Sequence, residues 1–217
     1  MPNALIVVAK RPRPGQTKTR LAPPLSSEEA AQLYEGFLLD TLDLMRSVKE
    51  AQPILAYLPG DADDYFHCLA PDFELLLQRG HDLGERLDNT LTHYLTGRFE
   101  RAVIMDSDSP TLPAEFLRQA FTALDAADVV LGPCEDGGYY LIGLKRPAPR
   151  LLREVKMSTP NVARDTLALA AEDGLAVSQL PTWYDVDTAA ELERLCIELA
   201  ALPSHRARHT RAFLSAR

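Results

Sequence analysis

Apolar residues occur along the chain in short, nearly continuous runs of strand length, separated by segments in which apolar residues recur with helical period. Runs that do not alternate with polar residues are typical of strands covered on both faces. The runs occupy residues 4–9, 53–58, 73–77, 102–105, 129–132, 139–144 and 175–180. The pattern predicts a doubly wound α/β domain, in which helices cover both faces of a mostly parallel sheet.

The first helix has a clear start signal. Ser26 and Glu29 have the spacing of a capping box, and apolar residues then recur on one helical face. Further helices are predicted over residues 83–96, 114–124, 161–171 and 189–199. The last residues, PSHRARHTRAFLSAR, are basic and weakly amphipathic. We interpret them as a solvated terminal helix in preference to a partner-binding segment.

Length and charge restrict the class of protein. The 217 residues suit one domain, predicted over residues 1–202, followed by a basic C-terminal tail over residues 203–217. The net charge of −8 argues against partners such as nucleic acid or a membrane surface. Three widely spaced cysteines, and no long apolar segment or signal peptide, predict a cytoplasmic protein. The oligomeric state is not readable from the sequence.

Positive charge is concentrated where the first strand ends. The segment AKRPRPGQTKTRL places Lys10, Arg13, Lys18 and Arg20 around Gly15, whose backbone allows close approach of a ligand. The carboxyl ends of parallel strands are where ligands bind in such sheets. A triphosphate is the natural partner of this loop, although the spacing is not that of a Walker A motif.

Paired carboxylates follow two other strands. Asp106 and Asp108 come directly after a buried strand, and Asp185 and Asp187 precede a predicted helix. Such pairs favour a hard cation, Mg²⁺ or Mn²⁺, and we predict Asp106, Asp108 and Asp187 as its ligands. The alternative is that these residues cap helices, and one of the second pair is expected to be an N-cap.

A glycine-rich turn lies between two further runs, in the string GPCEDGGYYLIGL. Gly137 and Gly138 permit a tight turn, and Glu135 and Asp136 are expected at the same edge of the sheet as the other polar clusters. A plain hairpin turn explains the glycines equally well.

Together the strings AKRPRPGQTKTRL, QRGHDLGERL, DSDSPTL, GPCEDGGYYLIGL, MSTPNVARDTL and WYDVDT resemble the DUF2064 family, also called rSAM/selenodomain-associated transferase 1. That family belongs to the nucleotide-diphospho-sugar transferase (GT-A, SpsA-like) superfamily, whose members include MobA-like nucleotidyltransferases and 2-phospholactate guanylyltransferase. The resemblance implies a three-layer α/β/α domain with a mostly parallel mixed sheet, the GT-A, Rossmann-like fold.

The resemblance also implies roles for particular residues. The loop from Ala9 to Arg20 would hold phosphates, with Lys18 and Arg20 as its main charges, and Asp108 and Asp187 would be the metal carboxylates. The residues implied to read the nucleotide base are Gln78, Gly80, Gly84 and Arg86. The residues implied to face the acceptor are Glu135, Asp136, Gly137, Gly138 and Tyr139.

Three functions remain open at this point. The leading hypothesis is metal-dependent nucleotidyl transfer from a nucleoside triphosphate to a small anionic acceptor, with Lys18, Arg20 and Asp108 as catalytic residues. The second is glycosyl transfer from a nucleotide sugar, as in an arsenosugar-type pathway. The third is a nucleotide-binding module without turnover. The base of the nucleotide and the acceptor are not readable from the sequence.

Overall fold

The predicted strands form one sheet in the computed structural model, which describes residues 2–216. Within this part of the chain the strands are β1 (Asn3–Lys10), β2 (Gln52–Leu58), β3 (Glu74–Leu77), β4 (Arg101–Met105), β5 (Val129–Pro133), β6 (Tyr139–Leu144) and β7 (Val177–Gln179). Their order is β3-β2-β1-β4-β6-β5-β7. Strand β6 is antiparallel to β4 and β5, and the other neighbouring pairs are parallel. The mostly parallel mixed sheet is confirmed.

Helices cover both faces of this sheet. They are α1 (Ser27–Arg46), α2 (Asp63–Leu69), α3 (Leu83–Leu95), α4 (Ala114–Ala123), α5 (Arg150–Arg153), α6 (Val162–Glu172), α7 (Ala189–Ala201) and α8 (Arg208–Ser215). The capping box before α1 is confirmed, because the Ser26 hydroxyl accepts from the Glu29 N–H and the Glu29 carboxylate accepts from the Ser26 N–H. None of the described helices has the length and apolar character of a membrane span.

Alternation along β1 divides the core into two layers. Leu5 and Val7 pack with α1, α2 and α4 on one face, while Ala4 and Ile6 pack with α3, α5 and α6 on the other. All four side chains are fully buried, which explains why the run is apolar throughout. The three-layer α/β/α arrangement follows directly from this two-sided burial.

Local structure differs from the sequence prediction at a few places. The short helices α2 and α5 were not predicted, since neither is long enough to show a helical period. The N-cap of α7 is Thr188, so neither Asp185 nor Asp187 caps this helix. The Glu191 carboxylate instead accepts from the N–H groups of Asp187 and Thr188, at 2.8 and 2.7 Å. Both aspartate side chains are thereby left for other contacts.

The C-terminal segment docks on the domain. Helix α8 packs against α1, where the Asp40 carboxylate accepts from the N–H of His209 and from the N–H and hydroxyl of Thr210. Asp40 is 6% exposed and Thr210 is fully buried. The terminal helix is therefore a packed element and not the solvated helix that the sequence suggested.

Candidate active site

The polar loops predicted to converge do so in a cleft at the carboxyl edge of the sheet. The cleft consists of two adjoining cavities of about 420 and 500 Å³. Both cavities border on Arg20, Asp106, Asp108, Ser158 and Asp187. We call the smaller one the basic cavity and the larger one the acidic cavity. The cations that line the basic cavity are Lys10, Lys18, Arg20 and Arg86. The carboxylates that line the acidic cavity are Asp106, Asp108, Asp136, Asp185 and Asp187.

Lys18 joins two of these carboxylates. Its Nζ lies 2.5 Å from Asp108 Oδ1 and 2.7 Å from Asp187 Oδ1, and its side chain is 5% exposed. The ammonium also lies 5.6 Å from the centre of the Phe37 ring. Burial opposes its charge, but the two carboxylates outweigh burial and raise the pKa of Lys18 above its ordinary value. Lys18 is therefore a charged group in the wall of the basic cavity, paired with two carboxylates that border both cavities.

The backbone at Lys18 is unusual. Its φ of 48° and ψ of 39° lie in the left-handed region, which costs a residue with a Cβ about 1 kcal/mol or more. This conformation directs the side chain from the loop after β1 toward the cleft. The two ion pairs, with Asp108 and Asp187, hold the conformation in place.

Arg20 forms a second ion pair with Asp187. Its side chain is 69% exposed, in contrast to Lys18. Burial alone would raise the pKa of Asp187, but Lys18 and Arg20 reverse this and lower it. Asp187 is therefore an ionised carboxylate with two cationic partners.

Asp106 was predicted to share a metal ion with Asp108 and Asp187, but its side chain lies in a cluster with Cys134 and Asp185. Ligand atoms of Asp106, Cys134 and Asp185 lie within 4.8 Å of one another. Asp106 Oδ1 accepts from the Asp108 N–H at 3.0 Å, and Asp185 Oδ1 accepts from the hydroxyl of Ser109 at 3.0 Å. The predicted metal ligands Asp106, Asp108 and Asp187 are thus divided between this cluster and the Lys18 ion pairs.

The two carboxylates of this cluster share a buried space. Within residues 2–216, no cationic side chain lies in ion-pair distance of either one. Burial, then the charges of Asp185 and Asp108, raise the pKa of Asp106 well above its usual range. Burial and the charge of Asp108 raise the pKa of Asp185 to about 6. A cation between these carboxylates would relieve both effects.

The donor chemistry fits Mg²⁺ or Mn²⁺. Carboxylate oxygens are the hard ligands that these ions prefer. The Cys134 thiol donates to Asp185 Oδ1 at 3.2 Å, and burial raises its pKa, so this sulfur is a neutral hydrogen-bond donor and not a soft thiolate ligand. Asp106 and Asp185, with Asp108 beside them, are the residues that could hold the ion.

Comparison with known proteins gives the family. A family model described as "Uncharacterized protein conserved in bacteria (DUF2064)" matches residues 41–159. The chain belongs to the DUF2064 family.

Relatives of this DUF2064 protein include named enzymes. It is 29% identical over 185 residues to the 2-phospho-L-lactate guanylyltransferase of Methanothermobacter thermautotrophicus, covering 83% of this chain and 78% of that one. A crystal structure from Desulfovibrio desulfuricans G20, assigned by name to the nucleotide-diphospho-sugar transferases, has a TM-score of 0.92 and 33% identity. That match covers 100% of this chain and 95% of the other.

A more distant structure shares the fold. The 4-diphosphocytidyl-2C-methyl-D-erythritol synthase of Anaerococcus prevotii DSM 20548 has a TM-score of 0.59 and 13% identity, covering 91% of this chain and 96% of that one. The resemblance to the nucleotide-diphospho-sugar transferase fold is confirmed.

Of the predicted nucleotide-binding residues of the DUF2064 protein, those that line the basic cavity are Ala9, Lys10, Lys18, Arg20, Gln78 and Arg86. Arg13 is instead paired with Asp61 at 2.9 Å. Gly80 and Gly84 lie at close backbone contacts, since a Cβ would come within 2.8 Å of Arg86 N and 2.1 Å of Leu152 O. These glycines shape the loop, and Gly15 borders neither cavity.

Gln78 and Arg86 both line the basic cavity. Gln78 is 7% exposed, and its Nε2 donates to the Ala56 carbonyl at 2.8 Å. A carbonyl oxygen can only accept, so the Gln78 amide must direct its nitrogen toward Ala56. The amide oxygen, Oε1, is left as a free acceptor. The Nε of Arg86 is buried and has no hydrogen-bond partner among the described residues. Oε1 of Gln78 is therefore available to a ligand, and Arg86 contributes its positive charge to the wall of this cavity.

The turn before β6 contributes only part of its predicted acceptor-facing set. Asp136, Gly138 and Tyr139 line the acidic cavity. Glu135 is paired with Arg194 at 2.6 Å, and Gly137, with a φ of 90°, packs against the Pro160 carbonyl. Glu135 and Gly137 therefore border neither cavity.

Several residues of the cleft were not singled out from the sequence. They are Tyr34, Ser107, Ser158 and Asp185, together with Cys134, which lies beside Asp106 and Asp185 but borders neither cavity. Asp185 was visible as half of a carboxylate pair, whereas Tyr34 lies on the apolar face of α1 and reads as an ordinary core residue. Ser158, at a φ of 60°, carried no sequence signal.

Proposed function

We propose that this protein is a Mg²⁺-dependent, nucleotide-utilising transferase that moves a nucleotidyl group from a nucleoside triphosphate to a small anionic acceptor. The observation that carries the proposal is the position of Lys18, buried between Asp108 and Asp187 where the basic and acidic cavities meet. A buried ammonium beside a carboxylate cluster suits nucleotidyl transfer, since the ammonium can contact phosphate oxygens and the carboxylates can hold a cation.

The distribution of charge supports an orientation for the nucleotide. Lys10, Lys18, Arg20 and Arg86 give the basic cavity four cationic side chains, which suit a triphosphate. Its remaining polar wall includes Gln78, whose free amide oxygen suits a donor on the base. The nucleotide is therefore proposed to occupy the basic cavity, with its α-phosphate at the junction near Lys18.

The acidic cavity is proposed to receive the acceptor. Asp136, Tyr139, Ser158 and Thr159 provide its polar groups away from the junction, and apolar side chains such as Met157 complete the wall. The acceptor's own anionic oxygen would lie at the junction, where Lys18 and Arg20 are its available cations.

Transfer would proceed without a covalent enzyme intermediate. An acceptor oxygen forms a bond to the α-phosphorus, and the bond from that phosphorus to the bridging oxygen breaks, releasing pyrophosphate. Lys18 and Arg20 stabilise the charge that develops on the phosphate oxygens, and Gln78 and Arg86 fix the orientation of the nucleotide. A divalent cation held by Asp106, Asp185 and Asp108 would supply further neutralisation of phosphate charge when bound.

The named relatives support nucleotide chemistry. The 29% identical relative is a 2-phospho-L-lactate guanylyltransferase, a nucleotidyl-transferring enzyme by name. Glycosyl transfer from a nucleotide sugar is the second candidate, favoured by the name of the 33% identical structure, a nucleotide-diphospho-sugar transferase. The basic and acidic cavities would then hold the nucleoside diphosphate and the sugar of the donor.

Product analysis distinguishes the two reactions. The protein is incubated with Mg²⁺, each of the four common nucleoside triphosphates and a panel of phosphorylated and carboxylated small acceptors, and pyrophosphate is measured. Parallel reactions with UDP- and GDP-sugars measure release of UDP or GDP. Acceptor-dependent pyrophosphate that disappears in EDTA and in Asp108→Asn, but persists in Asp72→Asn, supports nucleotidyl transfer. If UDP or GDP is released from the nucleotide sugars and no pyrophosphate is formed from the triphosphates, the reaction is glycosyl transfer and not nucleotidyl transfer.

A further inference from the structure

Tyr34 carries a buried hydroxyl in the wall of the basic cavity. The residue lies on α1, is 6% exposed, and borders the cavity together with Lys10 and Ser107. Its ring position is that of a core residue, which phenylalanine would fill equally well. The hydroxyl therefore needs an explanation of its own.

Two polar groups lie within hydrogen-bond distance of this hydroxyl. The Lys10 N–H donates to Tyr34 Oη at 3.3 Å, and Tyr34 Oη lies 2.9 Å from Ser107 Oγ. Ser107 Oγ also lies 3.3 Å from the Val8 carbonyl, which can only accept. Either hydroxyl of the Tyr34–Ser107 pair can be the donor, and the bond links the two side chains in both cases. Burial raises the pKa of Tyr34 to about 12, so its proton is present at neutral pH.

This chain of bonds connects the two loops that form the site. Lys10 is the last residue of β1 and the first cation of the basic segment. Ser107 lies between Asp106 and Asp108 in the loop after β4. Strands β1 and β4 are paired from Asn3 and Arg101 to Val7 and Met105, and the pairing ends there. Beyond that point, the Tyr34 hydroxyl is a link between the cationic loop and the carboxylate loop.

We propose that Tyr34 is a positioning residue that fixes the phosphate-binding loop relative to the Asp106–Asp108 loop, an inference that rests on the proposed function. The residue acts through Lys10 and Ser107 and takes no part in bond making. The Lys18–Asp108 ion pair also joins these two loops, so loss of the Tyr34 hydroxyl would loosen the start of the phosphate-binding loop at Lys10 and weaken its phosphate contacts without separating the loops.

The test is a double-mutant cycle on the full chain. The variants are Tyr34→Phe, Ser107→Ala and the double variant, and the matched control is Tyr57→Phe, which removes a hydroxyl bonded to Asp63 outside the cleft. Calorimetric titration measures the Kd of each variant for MgATP, MgGTP, MgCTP and MgUTP. We expect about tenfold weaker binding of the preferred nucleotide in each single variant, no further loss in the double variant, and no change in Tyr57→Phe.

A second measurement keeps the positioning role separate from the proposed function. Amide hydrogen exchange by NMR should be faster at Lys10 in Tyr34→Phe than in the wild-type protein, and unchanged at Lys10 in Tyr57→Phe. Unchanged nucleotide affinity in Tyr34→Phe, or additive losses in the double variant, would overturn the inference. If the wild-type protein bound no nucleotide, the proposed function would fail, and amide exchange at Lys10 would decide the positioning role by itself. Faster exchange in Tyr34→Phe than in the wild type would then support that role. Unchanged exchange would overturn it.

Discussion

The ammonium of Lys18 lies 2.5 Å from a carboxylate oxygen of Asp108, although the two residues are 90 positions apart in the chain. The contact brings the loop after β1 and the loop after β4 to one point. Its second carboxylate partner, Asp187, comes from the segment before α7. One cation thus organises three separate segments at the centre of the cleft.

Replacing Lys18 by Met should leave Asp108 and Asp187 without their buried counter-ion. Since both carboxylates remain about a third exposed, we expect a loss of about 2 kcal/mol in the free energy of unfolding in EDTA. Urea unfolding measures this value. The exposed Lys49→Met variant is the control, and a Lys18→Met protein as stable as that control would contradict the role given to the ion pairs.

Stability should depend on pH through the Asp106–Asp185 pair. The folded protein keeps protons on these raised-pKa carboxyls at pH values where the unfolded chain, with ordinary Asp pKa values of about 3.9, has lost them. In EDTA, the contribution of the pair to the free energy of unfolding should therefore fall as pH rises from about 4 through 6.

Urea unfolding of the wild type and Asp185→Asn at several pH values tests this dependence. The difference between the two proteins isolates the pair from other titrating groups, and the wild type should lose stability relative to the variant as pH rises. At pH 7, Mg²⁺ should stabilise the wild type more than Asp185→Asn, because the ion replaces the lost protons. A wild type that instead gained stability relative to the variant between pH 4 and 6 would contradict the raised pKa values.

Arg86 should contribute to nucleotide affinity. Its side chain lines the basic cavity, so its guanidinium is placed to bond to the phosphates of a bound nucleotide. A charged hydrogen bond contributes about 1.5–3 kcal/mol, and Arg86→Met should therefore bind its preferred Mg-nucleotide about 10- to 100-fold more weakly by calorimetry. Arg79→Met, at an exposed position outside the cleft, should bind normally. Equal affinities in the two variants would remove Arg86 from the site.

Docking of α8 should affect stability but not binding. Asp40→Ala removes three hydrogen bonds that hold the start of α8 and should lower the free energy of unfolding by about 2 kcal/mol. Nucleotide affinity should be unchanged, since Asp40 borders neither cavity. The exposed Asp64→Ala serves as the control in urea unfolding. Impaired binding in Asp40→Ala would mean that the tail supports the cleft.

The sheet was predictable because burial on both faces leaves a simple trace in the sequence. Strands such as β1 and β4 carry uninterrupted apolar runs, and the capping box at Ser26 has a fixed local spacing. Convergence of the polar loops followed from the direction of parallel strands.

The partners within the site were less predictable. Residues two apart in an extended segment share a side, so spacing alone did not separate Asp185 from Asp187, and Asp187 was the predicted ligand. The two residues have different partners in the structure. A β-bridge between Cys134 and Trp183 places Asp185 beside the end of β5, whereas the Asp187 carboxylate accepts a hydrogen bond from Lys18. Such long-range contacts, like the Tyr34 hydrogen bonds, leave no local pattern.

The most direct measurement is a crystal structure with Mg²⁺ and a non-hydrolysable α,β-methylene analogue of the nucleotide that binds tightest. We expect phosphate oxygens in contact with Lys18 and Arg20, and a metal ion on the carboxylates of Asp106, Asp185 and Asp108. An analogue bound elsewhere, with Lys18 still paired to Asp108 and Asp187 and no ion on the carboxylates, would contradict it.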